Sequence, residues 1–215
     1  MTAEPSSPAV SAASSTVSGI DVSHYQGEIS WAEVARSGIV FAYMKATQGL
    51  TGVDSQFQTN WNGVKEAGLL RGAYHFYQPD DDPDQQADHF LNTVPLGEGD
   101  LPPALDVEIS NGQSASKIIQ GIEAWLTKVQ QSTGQTPVLY TDPSFWATLG
   151  TSQFGAYPLW IAEYGNLATP KLPAGWKTWT FWQHSETGTV SGVSTSVDLD
   201  IFHGTLEELR GLVKA

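Results

Sequence analysis

From Gly19 almost to the C-terminus, short apolar runs alternate with amphipathic stretches, and this alternation constrains the fold more than any other feature of the chain. The runs at 20–23, 39–45, 69–76, 104–109 and 137–140 read as strands, each followed by a stretch with helical spacing. Ser30 and Glu33 have capping-box spacing at the start of the first helix. Phe57, Trp61 and Val64 share one face of the second, and Ala87, Phe90, Leu91 and Val94 mark the third. The fourth is the clearest, with Ile118, Ile122, Trp125, Leu126 and Val129 in one stripe that ends near Gly134. A short fifth helix follows Pro143. The remaining strand-like runs, 159–163, 178–183 and 197–202, come without helices between them, before a closing helix with Leu206, Leu209 and Val213. Strands alternating with helices imply βαβ units and a parallel sheet. Eight strands in one α/β unit predict an irregular TIM-like barrel: about five β/α units, then strands lacking regular helices. The competing open, doubly wound sheet would carry a G-x-G-x-x-G turn after its first strand, and none is present.

Residues 1–18 are almost entirely Ala, Ser, Thr, Pro and Val, too poor in large apolar groups to offset the entropy of ordering them. They read as a disordered tail or linker ahead of one catalytic-size domain, 19–215. They lack the basic and apolar regions of an intact signal peptide, and a remnant left by signal cleavage fits them. The chain carries 23 acidic and 10 basic side chains, a net charge of −13, which argues against a nucleic-acid partner because phosphate binding needs a positive footprint. With no cysteine there is no disulfide, thiolate metal site or cysteine nucleophile. No apolar run approaches the ~20 residues that span a bilayer, so no membrane partner is expected.

Three strands put acids where a barrel normally packs hydrocarbon. Asp21 lies between Ile20 and Val22, Asp106 and Glu108 alternate with Leu105, Val107 and Ile109, and Asp198 and Asp200 alternate with Val197, Leu199 and Ile201. Successive strand residues face opposite sides, so the apolar set faces the helices and the acids face the lumen. An unpaired buried carboxylate is costly, so such residues fit the wet C-terminal mouth, where active sites of this fold sit. First and last strands adjoin in a closed barrel, which brings Asp21 to an acid of the 197–201 run, with Asp106 and Glu108 on the opposite wall. Like charges so crowded cannot all ionise, and at least one pKa must rise. A carboxylic acid beside a carboxylate is the equipment of glycoside hydrolysis.

At these residues the chain resembles the glycoside hydrolase family 25 lysozymes, the Chalaropsis-type N-acetylmuramidases. Seven fragments carry the resemblance, in the family's order: GIDVSHYQG (19–27), MKATQG (44–49), GAYHF (72–76), LDVEI (105–109), LWIAEY (159–164), WQHS (182–185) and VDLDIF (197–202). The resemblance implies hydrolysis of the β-1,4 bond from N-acetylmuramic acid to N-acetylglucosamine in peptidoglycan, by a secreted monomer with no cofactor or metal. It implies Glu108 as general acid, Asp106 as a stabiliser of positive charge or an orienter of the substrate N-acetyl group, and Asp21 and Asp198 as completing the acidic set. In two places the chain departs from the family: Gln48 stands where Glu is usual, and Asp200 where Asn is more frequent. Direct displacement, double displacement and help from the substrate's acetamide all stay open.

Tyr43, Tyr74, Tyr77, Tyr140, Trp160, Tyr164 and Trp182 lie on or just after strands, where rings can stack on sugars. Tyr74 and Tyr140 are the first choices for substrate contact, joined by Trp160, with Lys45 and Gln183 as polar partners at the mouth. The acids at 80–82 and 84, around Pro83, read as a helix cap rather than a calcium loop. The five histidines show no paired metal spacing, and His75 reads as a structural barrel residue. No G-x-S-x-G elbow is present. A glycosidase acting on chitin and a binding module on a disabled barrel are the alternatives.

Overall fold

A computed structural model describes residues 16–214. The strands are β1 (Thr16–Val22), β2 (Phe41–Gln48), β3 (Gly52–Val53), β4 (Leu70–Phe76), β5 (Ala104–Asp106), β6 (Val138–Thr141), β7 (Leu159–Ala162), β8 (Phe181–Gly188) and β9 (Val197–His203). The helices are α1 (Trp31–Arg36), α2 (Phe57–Glu66), α3 (Pro83–Thr93), α4 (Ala115–Thr133), α5 (Pro143–Leu149) and α6 (Leu206–Arg210). The sheet order is β1-β9-β8-β7-β6-β5-β4-β2-β3, and β1 also pairs with β2, which closes a barrel of eight strands with β3 as a hairpin extension. α1 to α5 follow β1, β3 (the extension of β2), β4, β5 and β6, and no helix separates β7, β8 and β9. The expected irregular α/β barrel is the one found.

Four local expectations need correction. β1 begins at Thr16, inside the segment read as a tail; the rest of that segment, 1–15, lies outside the described residues. Ser30 caps α1 without a side-chain hydrogen bond, since its φ/ψ of −86°/86° is not extended and its backbone N–H goes to the Gly192 carbonyl at 2.8 Å. Capping boxes form instead at Ser23/Gln26 and Thr205/Glu208. β5 stops at Asp106, so Glu108 stands two residues beyond the strand. Finally, β9 runs antiparallel to both β8 and β1 in a sheet otherwise parallel around the barrel. The connection 189–196 is too short for the helical crossover that a parallel partner requires, so the chain turns back.

Strand alternation divides the apolar residues into two layers. Ile20, Met44, Ala73, Leu105, Leu139 and Ile161 face the helices and share one core with Val34 of α1, Trp61 of α2, Phe90 of α3, the α4 stripe of Ile118, Ile122, Trp125, Leu126 and Val129, and Trp146 of α5. Phe41, Tyr43, Trp160, Phe181 and Phe202 face inward and fill the lower lumen. Tyr43 and Trp160 ring centroids are 4.9 Å apart, and Phe41 and Phe181 are 5.3 Å apart. Two inward glycines make room for this plug: a Cβ on Gly19 would lie 2.3 Å from the Phe41 ring, and one on Gly72 2.2 Å from Tyr43.

Two buried polar groups sit outside the lumen. Arg71 donates from Nε to Asp100 Oδ1 at 2.6 Å and from Nη1 to the Trp61 carbonyl at 2.8 Å, and its guanidinium lies 4.0 Å from the Trp61 ring. His75 stacks on Trp125 and lies 2.7 Å from Thr47 Oγ1 through Nδ1 and 3.0 Å from Gln86 Oε1 through Nε2. Burial lowers its pKa to about 4, so it is the neutral, structural residue expected. Asp82 caps α3, accepting from Gln85 N at 2.9 Å with Pro83 in the first turn, as the acid–proline pattern predicts.

Candidate active site

Above the aromatic plug the inward positions turn polar. β1 contributes Asp21, β2 Lys45, β4 Tyr74, β5 Asp106, β6 Tyr140, β7 Trp160, β8 Gln183 and β9 Asp198, and all of them line one cleft at the mouth with Glu108. The nine residues singled out in the sequence therefore converge. Because β9 is antiparallel, its first residues reach the mouth, and Asp198 is the direct cross-strand partner of Asp21. Trp160 is the one whose placement differs in kind: at 2% exposure it is the floor of the cleft, with Tyr74 and Tyr140 ring centroids 6.1 and 4.9 Å from it. Tyr43 belongs to the plug below, whereas Tyr77 and Trp182 pack in the layer between barrel and helices. Tyr164 reaches the cleft, together with Tyr25, Phe76 and Glu186, which the strand pattern did not single out.

Hydrogen bonds fix the wall between β1 and β8. Gln183 donates from Nε2 to Asp21 Oδ2 at 2.6 Å, and its Oε1 accepts from the Tyr140 hydroxyl at 2.9 Å and the Tyr164 hydroxyl at 2.6 Å. One amide thus sets the position of a carboxyl group and two phenols. Lys45 donates to Gln48 Oε1 at 2.8 Å and lies 4.4 Å from the Phe76 ring centroid. The residue that replaces the usual Glu therefore still holds this lysine, through a neutral acceptor. Burial lowers the pKa of Lys45, while Asp106, Asp54 and Glu108 oppose that shift.

Four acids of the cleft, Asp21, Asp106, Glu108 and Asp198, are harder to ionise than an ordinary carboxyl. Asp106 is 6% exposed, raised first by burial and then by the Glu108 charge, and its Oδ1 has no hydrogen-bond partner. Asp21 is raised by burial and by the charges of Asp200 and Asp198. Asp198 is pushed up to about 6, by burial and then by Glu186. Glu108 is raised by the walls around it and by Asp142 and Asp198, yet one side of it stays open to solvent. A solvent-reachable acid with a raised pKa can deliver a proton near neutral pH.

Asp200, which stands where the family more often has Asn, lies directly beneath this group. It is 1% exposed, accepts the Trp160 indole N–H at 2.8 Å and contacts Asp21 carboxyl to carboxyl. Two buried carboxyls in contact share a proton, because both cannot ionise. Its inward position was visible in the Asp198–Asp200 alternation. Burial raises the Asp200 pKa from 3.8 to about 7. Between those values the native state holds a proton that the unfolded chain has lost, so this residue's contribution to stability falls as pH rises through the window. Asp200→Asn removes that dependence and keeps a carbonyl for Trp160. Thermal melts should show a higher Tm for the variant at pH 8 and a smaller gain at pH 5; an equal gain at both would contradict the shared proton.

Residues 20–193 match the family described as glycosyl hydrolases family 25. The chain is 41% identical over 206 residues to YegX, an uncharacterized protein of Escherichia coli K12, covering 94% of this chain and 75% of that one. It is 38% identical over 211 residues to Lysozyme M1 of Streptomyces globisporus, covering 92% of this chain and 71% of the relative. The crystal structure of the bacterial lysozyme from Streptomyces coelicolor superposes with a TM-score of 0.89 at 37% identity, over 93% of this chain and 97% of that one. The family match thus spans the acids of two of the three strands that bring them to the mouth, Asp21 on β1 and Asp106 on β5, together with Glu108. The chain belongs to glycoside hydrolase family 25.

Proposed function

We propose that this chain is a lysozyme that hydrolyses the β-1,4 bond between N-acetylmuramic acid and N-acetylglucosamine in bacterial peptidoglycan. The observation that carries this reading is the pairing at the mouth of an open Glu108, whose pKa is raised by burial, with a buried Asp106 whose Oδ1 is unpartnered. Glu108 protonates the leaving glycosidic oxygen. Asp106 Oδ1, with no donor from the protein, accepts the substrate acetamide N–H and orients that group toward the anomeric carbon. Asp21 and Asp198 supply negative potential facing the oxocarbenium charge, with Asp21 held by Gln183. Tyr74, Tyr140 and Lys45 contact the sugars, and Trp160 limits their depth.

The enzyme needs no cofactor or metal, acts as a monomer without nucleic acid, and works outside the cytoplasmic membrane, where its polymer lies. Among the described residues no helix is long and apolar enough to cross a membrane. Digestion of purified peptidoglycan, followed by borohydride reduction and mass analysis, tests the reading. Reduced muramic acid at the new chain ends is expected. Reduced glucosamine ends would make it a glucosaminidase, turnover of chitin alone a chitinase, and binding without new ends a carbohydrate-binding module.

A further inference from the structure

The short turn after β1, 3₁₀ over His24–Gln26, is more tightly held than its exposure warrants. Ser23 and Gln26 form a capping box across it, and Gln26 Nε2 also donates to the Ser196 carbonyl at 3.2 Å, which ties it to the loop before β9. On its other side the buried Asp54 accepts from His24 twice, from the backbone N at 2.9 Å and from Nδ1 at 2.7 Å, while its Oδ1 accepts from Gln56 N at 2.9 Å. The product of this bonding is the placement of Tyr25. Its side chain is 76% exposed, its ring centroid is 4.1 Å from that of His24, and it lines the same cleft as Asp21 and Glu108.

An exposed tyrosine alone is ordinary surface. Here a buried carboxylate and a capping box hold the turn that carries one exposed ring at the rim of a polar cleft, and a tilted imidazole lies against that ring. We infer that Tyr25, backed by His24 and held through Asp54, is a stacking platform for a pyranose ring of the glycan strand beyond the sugars at the cleavage point. The C–H face of a sugar ring lies well against an aromatic face, and prior ordering of the ring reduces the entropy lost on binding. Tyr25 is thus a specificity-determining residue for polymer over short fragments. The inference rests on the proposed lysozyme reading.

Kinetics on peptide-free glycan strands of defined length test it, with Tm recorded for each variant. Tyr25→Ala should lower kcat/KM by about tenfold, the scale of one aromatic contact, through KM with kcat unchanged. Tyr25→Phe should match wild type, and His24→Ala should fall between them. Unchanged kcat/KM in Tyr25→Ala, a Tyr25→Phe variant as poor as Tyr25→Ala, or a loss seen only on peptide-bearing wall would each overturn the platform. A Tm that drops in parallel with kcat/KM would assign the ring to holding the fold and overturn it too. Calorimetric titration of the same strands into Glu108→Gln, with and without Tyr25→Ala, reads the platform without turnover. Wild type that releases no ends from peptidoglycan would instead defeat the lysozyme reading.

Discussion

Glu108→Gln should fold normally and lose about 10²–10⁴ of the activity on cell-wall suspensions, the range that a positioned general acid supplies. The amide keeps the shape of the side chain and cannot give up a proton. Glu108 stands at the open mouth beyond β5, outside the packed layers, so its Tm should stay near that of wild type. Turbidity clearing by the purified variant measures the loss directly, and retained clearing would refute the acid role. The same residue sets the wild-type pH profile. A raised pKa keeps the acid form populated toward neutrality and loses it as pH climbs, so kcat/KM should rise on going from neutral to mildly acidic pH. The net charge of −13 works in the same direction, because an acidic enzyme approaching an anionic wall is repelled less as carboxylates take up protons. A profile flat from acid to neutral would not fit this assignment.

Arg71→Ala should have the largest effect on stability. The substitution removes a guanidinium that bonds Asp100 and the Trp61 carbonyl, and it strands Asp100, which is 2% exposed. Breaking a buried pair from one side costs roughly 3–5 kcal/mol, because the remaining charge has lost its counter-charge. At about 2–4 °C per kcal/mol for a domain of this size, the midpoint should drop by roughly 6–20 °C. Asp100 Oδ2 also accepts from Gly97 N at 2.8 Å, and the Asp100 carbonyl accepts from Lys214 N at 2.9 Å. The C-terminal segment should therefore loosen as well, which amide exchange at Lys214 would register. A midpoint within a few degrees of wild type would mean that water reaches the stranded carboxylate.

Residues whose role follows from strand alternation were legible in the sequence, because a period of two assigns faces without knowledge of partners. Asp21, Asp106 and Asp198 are of this kind, and so is the helix-facing set that packs against α1 to α5. What stayed hidden depends on connections and on three-dimensional partners. The antiparallel course of β9 follows from the short link after β8, and β8 itself runs on past Gln183 through Ser185 to Gly188, where polar residues mask the pairing with Leu199 and Val197. Ser30 and Glu33 had the spacing of a capping box, but a carbonyl far along the chain, that of Gly192, took the backbone donor first. Trp160 was expected to contact substrate, and its place as the floor of the cleft was not legible, since depth along a strand depends on the stagger of its neighbours. Tyr25 lay inside a recognised fragment, yet only Asp54, remote in sequence, shows that its position is imposed.

The ring-filled lower lumen has a consequence for the geometry of attack on a polymer. A barrel plugged by Phe41, Tyr43, Trp160, Phe181 and Phe202 has one mouth and no exit, so a glycan cannot be threaded through it end first. A strand cut at an interior bond therefore lies across the rim, with both of its ends outside the protein. Such an enzyme needs no free chain terminus to begin, and each encounter can sever a taut, cross-linked mesh at an interior bond.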